Sequence, residues 1–103
     1  MNPPYGAGLC GKAINCFLEN YENNKFKRGI VLINNATDTN WFQRAVEKCS
    51  AFCMTNHRIG FYNSDGKEVS TNTRGQIFLF YGKSGFPTFR KHISQFGFVC
   101  KVV

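Results

Sequence analysis

The apolar run Ile30-Val31-Leu32-Ile33 sits between two segments whose apolar residues recur every three or four positions, and this alternation constrains the fold more than any other feature. Three β-branched residues and a leucine without polar interruption are the pattern of a strand covered on both faces, so a central parallel strand is expected there. Upstream, Leu9, Cys10, Ala13, Ile14, Phe17, Leu18 and Tyr21 lay an apolar stripe along a helix from about Leu9 to Asn23. The polar Asn23-Asn24-Lys25 ends it. Downstream, Thr37, Asp38 and Thr39 offer capping oxygens to a second amphipathic helix whose core face would be Trp41, Phe42, Ala45, Val46 and Cys49. Ala51 to Met54 reads as the next strand.

Beyond Met54 the pattern changes to hairpins. Asp65-Gly66 is a two-residue turn signal between Ile59-Gly60-Phe61 and Val69, because glycine tolerates the positive φ of a tight hairpin. The segment from Arg58 to Arg74 is expected to project outward. Gln76 to Tyr81 returns as an aromatic-rich strand, and Pro87 to Gln95 forms a short helix with Phe89, Ile93 and Phe96 inward. Gly97 to Val103 closes as a strand. With no linker, repeat or low-complexity run, residues 1–103 form one domain, a three-layer α/β half-sheet.

At 103 residues the chain buries a modest fraction of its unfolded surface, so its stability margin is small. The formal charge of +7, spread over Lys and Arg along the whole length, favours a polyanionic partner or else serves only as a solvated basic surface. The five cysteines, Cys10, Cys16, Cys49, Cys53 and Cys100, are odd in number and lack a C-x-x-C pair. Neither a disulfide framework nor a metal site is supported. Cys16, Cys49 and Cys100 lie among hydrophobic neighbours and read as buried free thiols of a reducing compartment, hence a cytoplasmic protein. No signal segment opens the chain, and no apolar stretch approaches the ~20 residues of a spanning helix.

Two glycine- and proline-rich features open the sequence. Gly6-Ala7-Gly8-Leu9-Cys10-Gly11 spells G-x-G-x-x-G, but that fingerprint needs a preceding strand and an acid about twenty residues on. Lys25 to Arg28 are basic at that distance, so these glycines read as a loop into the first helix. Just before them stands Asn2-Pro3-Pro4-Tyr5. Proline fixes φ and lacks an N–H, which keeps the stretch out of a helix and leaves carbonyls free to face a ligand. An ordinary extended tail has the same composition.

Asn2-Pro3-Pro4-Tyr5-Gly6, the helix from Leu9, the run Ile30 to Ile33, and Thr37-Asp38-Thr39-Asn40-Trp41-Phe42 come in an order that resembles the phage-type DNA N-6-adenine methyltransferase (Dam) family. Arg58-Ile59-Gly60-Phe61 and Thr73-Arg74-Gly75-Gln76 before the strand to Tyr81 resemble that family's later strands. The likeness implies a partial Rossmann-like methyltransferase sheet without its first strands, in effect a C-terminal portion beginning at the NPPY motif. It implies S-adenosylmethionine as methyl donor in the complete enzyme and double-stranded DNA as substrate, in a bacterial host or phage setting. A separately encoded N-terminal half is a further expected partner, and the chain alone is expected to be inactive.

The same resemblance assigns catalysis to Asn2, Pro3, Pro4 and Tyr5. The Asn2 side-chain oxygen and the Pro3 carbonyl would accept hydrogen bonds from the adenine amine, and Tyr5 would stack on the extruded base. Asn34, Thr37, Asp38 and Thr39 follow a strand and would border the same crevice, since ligands bind at the carboxyl ends of strands in open α/β sheets; helix capping accounts for the latter three first. Trp41 reads as core. Arg58, Lys67, Thr71, Thr73 and Arg74 would contact DNA phosphates from the hairpin, or belong to a solvated arm. The cofactor-binding residues are not readable. Two rivals remain open: a methyltransferase of another planar amine, in protein glutamine or RNA guanine, and a noncatalytic basic DNA-binding or partner subunit.

Overall fold

The computed structural model describes residues 8–57, 61–62, 68–69 and 75–102. Helix α1 spans Leu9–Glu22, strand β1 Arg28–Asn34, helix α2 Asn40–Lys48 and strand β2 Ala51–Thr55. Two short strands, β3 (Phe61–Tyr62) and β4 (Glu68–Val69), pair only with each other. Strand β5 (Gln76–Gly82), helix α3 (Phe86–Ile93), a 3₁₀ turn (Ser94–Phe96) and strand β6 (Gly97–Lys101) complete the chain.

The main sheet has the order β1-β5-β2-β6, and every neighbouring pair is antiparallel. This corrects the expectation for Ile30 to Ile33. That run lies in β1, beside β5 alone among the described strands of the sheet, and its ladder is antiparallel. Val31 and Ile33 are fully buried, whereas Ile30 on the opposite face is 38 % exposed. The central, most enclosed strand is instead β5, buried at every position except half-buried Phe78. A short apolar run cannot report whether its neighbours run parallel, because both pairings bury the same side chains.

Alternation along β5 divides the core between the two faces of the sheet. Ile77, Leu79 and Tyr81 join Val31 and Ile33 under α1 and α2, meeting Ile14, Leu18, Phe42 and Ala45. Phe80, with Ala51 and Cys53, packs under Phe89 of α3, and Phe78, Phe96 and Val99 border that cluster. The expected three layers are therefore present. Burying each large side chain of this kind contributes about 1.5–3 kcal/mol relative to exposure. Tyr81 anchors the first layer: its hydroxyl donates to the Ala45 carbonyl at 2.5 Å, and the Phe17 and Tyr21 rings meet it edge-on at 5.0 and 5.6 Å.

Close approach fixes two glycines. A Cβ at Gly97 would lie 1.9 Å from the Met54 carbonyl oxygen, so β6 can enter the ladder beside β2 only without a side chain there. A Cβ at Gly29 would meet the Phe17 ring at 2.8 Å. Other local expectations hold with small shifts. Thr39 is the N-cap of α2, accepting from the Phe42 N–H at 3.3 Å, and Asn23 caps the end of α1. The α3 helix starts at Phe86 and yields to the 3₁₀ turn after Ile93.

Leu9 of the predicted apolar stripe is 46 % exposed, and Cys16, expected as a buried thiol, is exposed. Both lie off the Cys10-Ile14-Leu18 line that α1 turns to the sheet. Cys49 is buried as expected and Cys100 half-buried. In the hairpin, Phe61 pairs with Val69 and Tyr62 with Glu68; the expected Asp65-Gly66 turn lies outside the described residues. No described helix is long and apolar enough to cross a membrane.

Candidate functional site

Because β5 runs between β1 and β2 in the opposite direction, its first residues meet the last residues of both neighbours. There the sequence turns polar on all three strands at once: Asn34 ends β1, Thr55 ends β2 and Gln76 begins β5. Above them opens a cavity of about 580 Å³ bordered by Asn34, Asn35, Ala36, Thr55, Asn56, His57 and Gly75. It lies at the carboxyl ends of β1 and β2, the position where open α/β sheets hold ligands.

Its walls are pinned by hydrogen bonds. The Asn35 N–H donates to the Gly75 carbonyl at 2.9 Å, and the Asn56 N–H donates to the Phe96 carbonyl at 2.9 Å. The Thr55 hydroxyl donates to the Gln76 carbonyl at 2.9 Å. His57 Nδ1 lies 2.6 Å from Asn56 Oδ1. A carbonyl oxygen only accepts, so this contact places a proton on Nδ1.

Gln76, next to Gly75, does not itself border the cavity. It is 5 % exposed, its Nε2 donates to Asn34 Oδ1 at 3.4 Å, and its Oε1 has no hydrogen-bond partner. Buried polar atoms are nearly always paired, and an unpaired one costs about 1–3 kcal/mol. Among the described residues, the side chains bordering the cavity are amides, a hydroxyl, an imidazole and a small apolar group. Such groups offer hydrogen-bond donors and acceptors to a planar polar ligand.

Of the predicted border residues, only Asn34 lines the cavity. Thr37 and Asp38 are exposed outside it. Thr39 is occupied by the cap and by donating to the Ala36 carbonyl at 2.8 Å, so capping is its role. Asn2, Pro3, Pro4 and Tyr5, and Arg58, Lys67, Thr71, Thr73 and Arg74, lie outside the described residues. Sequence reasoning missed Thr55, Asn56 and His57, although they follow the apolar strand Ala51 to Met54 as Asn34 follows Ile33. It missed Gly75 and Gln76 because an amino-terminal strand end joins this crevice only when the strand is antiparallel.

None of the cysteines is among the described residues that border the cavity. Burial raises the Cys10 and Cys53 thiols and pushes Cys49 up to about 11, keeping them protonated near neutrality. Among the described residues no group of three His, Cys, Asp or Glu side chains is placed to hold a metal ion.

The chain matches, over residues 1–99, the family described as DNA N-6-adenine-methyltransferase (Dam). Among curated proteins and among solved structures, nothing matches it.

Proposed function

The chain belongs to the DNA N-6-adenine-methyltransferase family, and from that premise we propose that it is the base-handling part of an enzyme that methylates the exocyclic amine of adenine in double-stranded DNA. The observation that supports this reading is the cavity at the carboxyl ends of β1 and β2, whose described border is rich in amides. An adenine taken out of the duplex needs a pocket that matches its edge with donors and acceptors.

The amine of adenine is a poor nucleophile because its lone pair is delocalised into the ring. Two acceptors, the Asn2 side-chain oxygen and the Pro3 carbonyl, would hold its two hydrogens and favour the pyramidal form in which the lone pair is localised. Pro4 would keep the segment extended, and Tyr5 would stack on the base, which contributes about 1–3 kcal/mol. Arg58, Lys67, Thr71, Thr73 and Arg74 would lie along phosphates and position the duplex.

S-adenosylmethionine is the methyl donor this family implies, and the described residues do not fit it. Ribose hydroxyls call for an acid at a strand end, yet β1 ends in Asn34 and β2 in Thr55, and Asp38 points to solvent. Gly8 opens α1 as a left-handed cap with no acid in the first turn and no described strand before it. The same observation favours a second reading, a DNA-binding subunit that works beside a separate donor-binding half. Calorimetric titration of this chain with S-adenosylmethionine should give no saturable binding tighter than about millimolar, about −4 kcal/mol. Tighter one-to-one binding would place the donor site on this chain and remove the second reading.

Fluorescence anisotropy with duplex DNA across a salt series tests the substrate. Replacing Arg58, Lys67 and Arg74 together by Gln should make the slope of log affinity against log salt shallower by about 2–3 units, since each phosphate contact contributes about 0.9. The change should be the same on unrelated duplexes. An unchanged slope would remove the hairpin from the interface and make a protein amide or an RNA amine the better substrate.

A further inference from the structure

Charge is divided between the two faces of the sheet. On the face covered by α1 and α2, Glu19, Glu22 and Glu47 lie on the helices themselves, and Lys48 Nζ is 3.0 Å from Glu22. The stretch 75–102, which supplies β5, α3 and β6, contains no Asp or Glu. It carries Lys83, Arg90, Lys91 and Lys101 instead, all exposed. None of these four side chains has an ion pair or hydrogen bond among the described residues, and Lys101 Nζ rests over the Phe86 ring at 5.4 Å. Helix α3 also leads to the crevice. Its last turn, with Arg90 and Lys91, runs into the 3₁₀ turn Ser94–Phe96. There the Phe96 carbonyl accepts from the Asn56 N–H at 2.9 Å, and the Phe96 ring lies 6.3 Å from that of His57. Asn56 and His57 border the cavity, so Arg90 and Lys91 stand one helical turn, roughly 5 Å along the axis, before the segment that braces its wall.

We propose that the exposed side of α3 around Arg90 and Lys91 is a second contact surface for the phosphate backbone of duplex DNA, separate from the hairpin. This rests on the reading of duplex DNA as the substrate and deepens it, by naming a surface that holds the duplex beside the crevice. Duplex DNA carries one negative charge per about 1.7 Å of its axis, so a strand whose base enters the crevice brings phosphates past the neighbouring elements. A layer without carboxylates meets them with cations and with no repelling group. Arg90 offers a planar guanidinium to two phosphate oxygens, and Lys91 a point charge. Such contacts position the duplex and read no bases. The carboxyl end of a helix attracts cations by itself, yet Lys83 and Lys101 stand at the amino end of α3, where the helix dipole disfavours them. A polyanion accounts for cations at both ends.

The salt dependence of duplex binding tests this on the full chain. The unaltered chain, an Arg90→Gln/Lys91→Gln variant and a Lys25→Gln/Lys27→Gln control are titrated onto a fluorescein-labelled duplex at several salt concentrations. The control removes the same charge from two exposed lysines just before β1, at the end of that strand away from the crevice. Loss of Arg90 and Lys91 should make the slope of log affinity against log salt shallower by about 1.8 units on unrelated duplexes alike, since each phosphate contact contributes about 0.9. The control should leave the slope nearly unchanged. Thermal melting without DNA separates folding from binding, because residues that only stabilise α3 shift Tm and leave the slope as it was. A slope unchanged by Arg90→Gln/Lys91→Gln, or made equally shallow by the control, would overturn the α3 surface and leave an acidic protein as its better partner; the DNA reading itself would stand. Failure of the unaltered chain to bind any duplex in a salt-dependent way would overturn that reading together with it.

Discussion

The two ends of β5 treat a buried polar group in opposite ways. At one end Tyr81 is fully enclosed by aromatic rings, and its hydroxyl is satisfied by the Ala45 carbonyl. At the other, Gln76 is nearly as enclosed, yet one of its two polar atoms has no partner. The closed end binds α2 to the sheet. The open end sits beside a polar cavity and keeps one acceptor that the fold leaves unsatisfied. One strand thus carries a satisfied and an unsatisfied buried polar group at its two ends.

The largest effect expected tests the proposed chemistry. If, as proposed, Asn2 accepts a hydrogen bond from the substrate amine, Asn2→Ala should lower the turnover of the methyl-transferring enzyme by about 100-fold or more, as when one preorganised transition-state hydrogen bond is lost. DNA affinity should barely change. Near-normal turnover, measured with radiolabelled methyl donor, would take Asn2 out of the chemistry.

Stability measurements should break in the reverse sense. Tyr81→Phe leaves the Ala45 carbonyl without the hydroxyl it accepts from and should cost about 1–2 kcal/mol, a fall in Tm of roughly 5–15 °C for a domain of this size. Gln76→Met removes an unsatisfied oxygen and one long hydrogen bond, so its urea midpoint should correspond to a change within about 0.5 kcal/mol. If Gln76→Met destabilises as much as Tyr81→Phe, the two ends are both structural and the contrast disappears.

A smaller effect distinguishes the closed side by pH. Burial pushes Cys49 up to about 11 from 9.0, and the neighbouring Tyr81 is also raised by burial. The folded state therefore holds protons that the unfolded chain releases, so this stability is complete below about pH 9 and is lost as pH rises toward 11. Urea midpoints between pH 8 and 11 should decline, and Cys49→Ala should flatten the early part of that decline. A flat profile for the unaltered chain would mean that Cys49 is not desolvated.

Helices were the most legible elements. The spacing of Cys10, Ile14 and Leu18 and the capping oxygen of Thr39 each act within a few residues of chain, so periodicity reports them directly. The Asn34 border of the crevice was readable for the same local reason, a polar residue closing an apolar run. Ile30 to Ile33 was readable as a strand and misread as central and parallel, because the direction of a neighbour is not encoded in the run itself.

What the sequence determined by itself is the alternation of elements, the family resemblance and the polar stop after each apolar strand, all set by local pattern. Only the tertiary structure decided that β5 enters between β1 and β2 in the opposite direction. That insertion brings Gln76 beside Asn34 and Thr55, residues far apart in the chain, and leaves its oxygen without a partner. Strand order depends on which long-range pairing buries the most apolar surface on two faces at once, a sum over the whole core that no local stretch of chain carries.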